Sequence, residues 1–119
     1  MFLNRVAVDH EPAWHAQLIM REMLLPTKAC ADFVKEYVKP TFHALREIIA
    51  AMLPETASER TRLLIGFSIV GQILHYRSAR PVLSMLVGAE AFQLLDVETL
   101  TEHITDFSLA AIKRFATRT

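Results

Sequence analysis

His10, Glu11 and His15 most invite a chemical reading, because two imidazoles flanking a carboxylate are the parts of a hydrolytic zinc site. Their spacing argues against one. The run is H-E-x-x-x-H, one residue longer than the i, i+4 arrangement that puts two ligands on one helix face. At about 100° per residue the two rings stand about 140° apart, and Pro12 opens a helix between them. No metal site is expected. Glu98, Glu102 and Asp106 repeat at i, i+4, i+8 and read as the solvated face of a helix, not as paired catalytic acids. Cys30 is the one cysteine, so no internal disulfide forms, and in a helical pattern it reads as a small core residue. Nothing has the form of a nucleophile elbow, a phosphate loop or a cofactor fingerprint. The residues point away from an enzyme and imply no cofactor.

Other polar residues sit where a binding site could use them. Arg21 shares a helix face with Trp14, Leu18 and Leu25, which places a charge in an apolar stripe. Its structural role would be an ion pair with a carboxylate such as Glu22. Its functional role would be to anchor a ligand in an otherwise apolar cavity. His43 and His75 lie beside Phe42 and Tyr76 and read as partly buried histidines. Gln72 suits either a pocket or a contact between subunits. Met20, Met23, Met52 and Met85 read as core filler that would also suit an adaptable cavity.

Helices must position these groups, since apolar residues recur at helical spacing and no useful strand alternation appears. Met1 to Val8 looks like the end of one helix. Glu11-Pro12 starts the next, which runs to about Leu25 and stops at Pro26. Thr27 is a fitting N-cap for a helix over about Lys28 to Leu53, with a kink expected at Pro40, or two abutting helices there. Pro54 to Ser58 is a linker. A helix from Ser58 to about Ala79 follows, then a short turn at Pro81 to Val87 closed by Gly88. After a loop through Asp96, the last helix spans about Val97 to Ala116. The expected fold is all-α, an antiparallel bundle of about five helices in one domain over residues 1–119.

Composition sets the outer limits. A chain of 119 residues buries roughly two-thirds of its unfolded surface. Its hydrophobic share is 52%, which excludes disorder and hints at more apolar surface than one small core needs. No run reaches the roughly 18 uncharged apolar residues of a membrane span. The start, MFLNRVAVDHEP, lacks the form of a signal peptide. With a lone cysteine this fits a cytoplasmic protein. Formal net charge is zero, so the chain lacks the basic balance of a domain that grips phosphates alone.

The stretch LIGFSIVGQILHYRSARPVLSML, from Leu64 to Leu86, is greasy on almost every side yet contains Gly66 and Gly71. Leu63, Phe67, Val70 and Leu74 fall on one face of its helix, taken as the core face. Ile65, Ile69 and Tyr76 fall nearly opposite. Each glycine costs about 1 kcal/mol relative to Ala, which makes sense where another backbone comes close. The last helix carries a stripe of Val97, Leu100, Ile104, Phe107, Ala111 and Phe115, with Leu109 and Ala110 outside it. Two such helices would pack on the same pair of a twofold-related copy as a four-helix interface.

The segments WHAQLIMREMLLPT, VKPTFHALREII, FSIVGQILHYRSARPVL and LTEHITDFSLAAIKRF resemble the C-terminal domain of TetR-family transcriptional regulators, in particular the CecR-like branch. The resemblance covers nearly the whole chain. It is most specific at Arg21 to Thr27 and at Val70 to Pro81. It implies a homodimer that binds a small hydrophobic or amphipathic effector, with operator DNA read only by an N-terminal helix-turn-helix that this sequence lacks. The ragged start at Met1 reads as that of a truncated regulator. Ligand binding would relieve DNA binding by shifting the spacing of the two reading heads. The expected cavity is bordered by Trp14, Leu18, Arg21, Phe42, Leu45, Phe67 and Val70. The expected dimer interface holds Ile65, Gly66, Ile69, Gly71, Gln72, Tyr76, Phe107, Ala110 and Ala111, burying more than roughly 1,600 Å². A free-standing helical homodimer with an adaptor or structural role is the alternative.

This chain alone should not select a DNA sequence, because it has neither net positive charge nor a reading helix. A gel-shift at low salt should show no sequence-selective band.

Overall fold

Prolines and caps divide the chain much as their chemistry requires. The computed structural model describes residues 13–118, and their side chains other than those of residues 13–16 and 19. Helix α1 spans Ala13–Leu24 and ends before Pro26. Thr27 then caps α2, Lys28–Phe33, by accepting the Cys30 N–H at 3.3 Å. The Glu22 carboxylate accepts from both the backbone N–H and the hydroxyl of Thr27, each at 3.0 Å, and so ties the end of α1 to that cap. The expected ion pair of Arg21 with Glu22 gives way to this arrangement.

Pro40 neither breaks nor sharply divides the long helix. The residues before it, Val34–Val38, form a π-helical turn that leads into α3, Lys39–Met52. Proline offers no N–H to the carbonyl four residues back, so the helix widens by one residue. The Lys39 N–H bonds to the Val34 carbonyl, and the Thr41 hydroxyl donates to the Tyr37 carbonyl at 3.1 Å. The disturbance expected at Pro40 takes the form of a π-bulge within a helix continuous from Lys28 to Met52.

Beyond a linker, α4 covers Glu59–Ser78 and is capped by Ser58, whose hydroxyl accepts the Thr61 N–H at 3.1 Å. An ion pair from Arg46 to Glu59 pins its first turn to α3. Helix α5, Arg80–Val87, ends at Gly88, whose φ of 87° favours glycine. Helix α6, Ala89–Gln93, occupies the span expected to be a loop. The Arg80 guanidinium lies 4.8 Å from the centre of the Phe92 ring and clamps α6 back onto α5. Helix α7 runs Val97–Arg118. Asp96 starts it by accepting the Thr99 N–H at 2.8 Å, a bond that holds its carboxyl below the usual pKa. The fold is all-α, and the described residues form six helical rods where about five were expected.

The core is built mainly from isoleucine. Ile65, Ile69 and Ile73 of α4 meet Ile49 of α3 and Ile104 and Ile112 of α7. Leu53 and Ala57 close the end at the linker, and Leu45, Tyr76 and Ala116 pack at the margin. This reverses the face expected to be inward. Ile69 is only 9% exposed, whereas Phe67 is 58% exposed. The last helix is rotated as well: it buries Leu100, Ile104, Ser108 and Ile112 and turns Phe107 outward. The molecule measures 44 × 38 × 23 Å. Helix α4 sits at its centre, in contact with α1, α3, α5 and α7.

Ile49 is fully buried at the centre of that cluster. Ile49→Ala should cost about 3 kcal/mol of unfolding free energy, read as a lower urea midpoint with an unchanged slope.

Candidate functional site

Helix α4 joins two surfaces of different character. On the side toward α7, a trough of about 220 Å³ runs between the helices. Ile65 and Ile69 reach its floor, Thr61, Ser68, Gln72 and Ser108 give it a polar strip, and Leu64, Phe107, Ala111 and Phe115 complete the lining. The Gln72 amide donates to the Ser108 hydroxyl at 3.3 Å, across the α4–α7 contact. Leu64 and Phe107 are more than half exposed, at 56% and 59%. A volume of 220 Å³ falls below the roughly 300 to 1,000 Å³ of drug-sized ligand pockets. The trough is therefore shaped to receive side chains more than to enclose a free molecule.

On the side toward α3, Phe42 and Phe67 stack with ring centres 5.5 Å apart and planes within 9°. Gly66 makes this possible. A Cβ there would lie 3.2 Å from the Phe42 ring, so the missing side chain leaves the notch in which the ring rests. The close approach anticipated at Gly66 is real, but the group that approaches is an aromatic ring of the same chain. Leu63, Val70 and Leu74, on the helix face that carries Phe67, are half-buried.

Of the residues expected to line a cavity, Phe42 and Phe67 are brought into contact. Leu45 belongs instead to the margin of the core. Leu18 and Arg21 are exposed on α1, so Arg21 is not an enclosed polar anchor. The side chain of Trp14 lies outside the described residues, as do His10, Glu11 and His15. Among the described residues no cluster of three or more His, Cys, Asp or Glu side chains could hold a metal ion. His43 is an exposed surface residue, 3.4 Å from Glu47 one turn on. His75 is exposed and meets Tyr76 edge-on.

Of the residues expected at a dimer interface, Ile65, Gly66, Ile69 and Tyr76 are taken up inside the chain. Gly71, Phe107 and Ala110 are exposed, while Gln72 and Ala111 line the trough. Leu64, Ser68, Ser108 and Phe115 also line the trough and were not among the expected site residues. Their sequence signal was weak: two hydroxyls on apolar helices, Leu64 on neither of the two faces read on its helix, and Phe115 within the stripe of the last helix but not singled out from it.

Residues 1–112 match the model of the family described as the C-terminal domain of the HTH-type transcriptional dual regulator CecR. The chain belongs to this family. It is the C-terminal domain of a TetR-family regulator, and the all-α bundle agrees with that assignment. No curated protein and no solved structure matches it. Among the described residues no helix is long and apolar enough to cross a membrane.

Gly71 offers a simple test of what approaches the outer side of α4. A Cβ built there meets nothing within 4 Å. Gly71→Ala should therefore raise stability by about 1 kcal/mol through helix propensity alone, read by thermal or urea unfolding. A loss of stability would place another backbone against this position.

Proposed function

We propose that this domain senses a small hydrophobic or amphipathic effector and pairs two copies of a TetR-type regulator. The observation that carries the pairing is the exposed apolar rim of the α4–α7 trough, with Leu64 at 56% and Phe107 at 59%. A twofold-related copy would bring its own α4 and α7 onto the same rim, each rim filling the other's trough. The family's name, the C-terminal domain of a helix-turn-helix regulator, supports a reading in which another part of the intact protein reads DNA. Effector binding would relieve DNA binding, as in a repressor, by favouring one relative setting of the two subunits. The stacked Phe42–Phe67 pair, with the aliphatic wall of Leu63 and Val70, supports the effector half of the reading. These side chains are apolar and incompletely covered, the character of surface an apolar ligand needs.

The burial pattern changes which substitution tests the pairing. Ile69→Asp would put a charge into the core of a single chain and unfold it whatever the oligomeric state. Phe107→Asp acts on an exposed ring. Sedimentation velocity should give a dimer for the wild-type chain and a folded, helical monomer for Phe107→Asp, with association weakened at least tenfold. A wild-type chain that stays monomeric at micromolar concentration removes the pairing. A Phe107→Asp chain that remains dimeric moves the seam elsewhere.

A further inference from the structure

The π-helical turn at Val34–Val38 changes which residues ahead of it face the body of the domain. An α-helix returns to the same facing about every 18 residues, or five turns. On an uninterrupted helix Ala31 would therefore face inward as Ile49 does. The turn inserts one residue, marked by the Lys39 N–H reaching back to the Val34 carbonyl. Residues ahead of it are turned by about 100° and shifted by about 1.5 Å along the axis, which gives Cys30 the place of Ala31. Burial follows the shifted register. Ala31 is exposed, and from residue 28 to residue 40 only Cys30 is not. Neither α2 nor the π-helical turn contains a buried residue, so packing of this segment does little to set its own rotation. That rotation matters because α2 carries the elbow to α1. The Thr27 hydroxyl accepts the Cys30 N–H, and Glu22 accepts the backbone N–H and the hydroxyl of Thr27. Helix α1 therefore leaves the rod in a direction fixed by the first turn of α2, and it packs against α4.

We propose that Pro40 is a register device: by forcing a one-residue insertion, it aims the α1–α2 elbow so that α1 docks on α4. In a regular helix the ring of Pro40 would collide with the Glu36 carbonyl, four residues back, and offer it no N–H. The bulge removes the collision, and the Thr41 hydroxyl covers the neighbouring Tyr37 carbonyl. Docking of α1 thus depends on the count of residues in the rod as well as on the contacts α1 makes.

The test compares the full chain with Pro40→Ala, and with Pro40→Ala combined with deletion of the exposed Glu36. Alanine lets the turn close into an α-helix, which carries Cys30 out of line with Ile49. Deleting one residue restores the count, so a regular helix brings Cys30 back. Far-UV circular dichroism checks folding. The reaction of Cys30, the lone cysteine, with an aromatic disulfide reads the rotation, and hydrogen exchange of the α1 amides reads the docking. In Pro40→Ala the thiol should react about threefold faster. The α1 amides should exchange at least roughly tenfold faster. In the double variant both should return close to wild type. A general effect of losing a proline on stability would not be reversed by removing a further residue. Wild-type values in Pro40→Ala overturn the proposal, because something other than Pro40 then holds the register. A double variant that is unfolded, or that stays fast by either measure, overturns it too. If Pro40→Ala alone fails to fold, a folded double variant with Cys30 and α1 protected supports it.

Discussion

The isoleucine interlock around α4 is the constraint on which the rest of this domain depends. Ile65, Ile69 and Ile73 present one ridge, and Ile49, Ile104 and Ile112 close on it from α3 and α7. β-branched side chains have few rotamers in a helix, so such a ridge packs in one way or poorly. Once that rotation of α4 is fixed, every other position on the helix is assigned. Phe67 must turn toward Phe42, Gln72 must reach Ser108, and Leu64 must look outward. The Arg46–Glu59 pair and the Ser58 cap hold the first turn in the same setting.

Helix α4 packs against α1, α3, α5 and α7, yet Leu64 and Phe67 on it stay more than half exposed. Helix α4 has apolar residues on every side, so two of its faces are only partly covered. Large exposed apolar patches in soluble proteins commonly mark partner surfaces.

Fold class, family and most helix boundaries were legible because they rest on local chemistry. Pro26, Thr27, Ser58 and Gly88 act through their own backbone and caps, and each does locally what its type dictates. Face assignment on α4 was not legible. Periodicity separates apolar from polar sides, and a helix that is apolar all round gives it nothing to separate. The choice between the Leu63–Phe67–Val70–Leu74 face and the Ile65–Ile69–Ile73 face is made by shape, through ridges contributed by α3 and α7 from far along the chain. The same limit explains Gly66. Its close contact was legible from the helix propensity it gives up, but not the identity of the ring that fills the space. The π-helical turn before Pro40 was legible as a disturbance and not as a bulge, because the Lys39 and Thr41 bonds that resolve it are alternatives to a kink with the same sequence signature.

The core ridge also bears on how a regulator domain of this design would transmit a signal. Phe67 and Ser68 are neighbours in sequence, yet Phe67 stacks on Phe42 while Ser68 lines the trough. Under the proposed reading the effector surface and the subunit seam are therefore two sides of one rigid rod, and no chain of intermediate residues is needed between them. A ligand that pushes on Phe67 can roll or slide α4 only against the isoleucine ridge. Close packing resists small continuous displacement, so the movement that remains is a step between a few settings. Such a step would move Ser68 and Gln72 together, because both ride on the same helix, and would change how two copies fit. The coupling is then limited by how differently the effector contacts the two settings of α4. A ligand seated loosely over Phe67 would bind without changing the seam, whereas one wedged between α3 and α4 would change both.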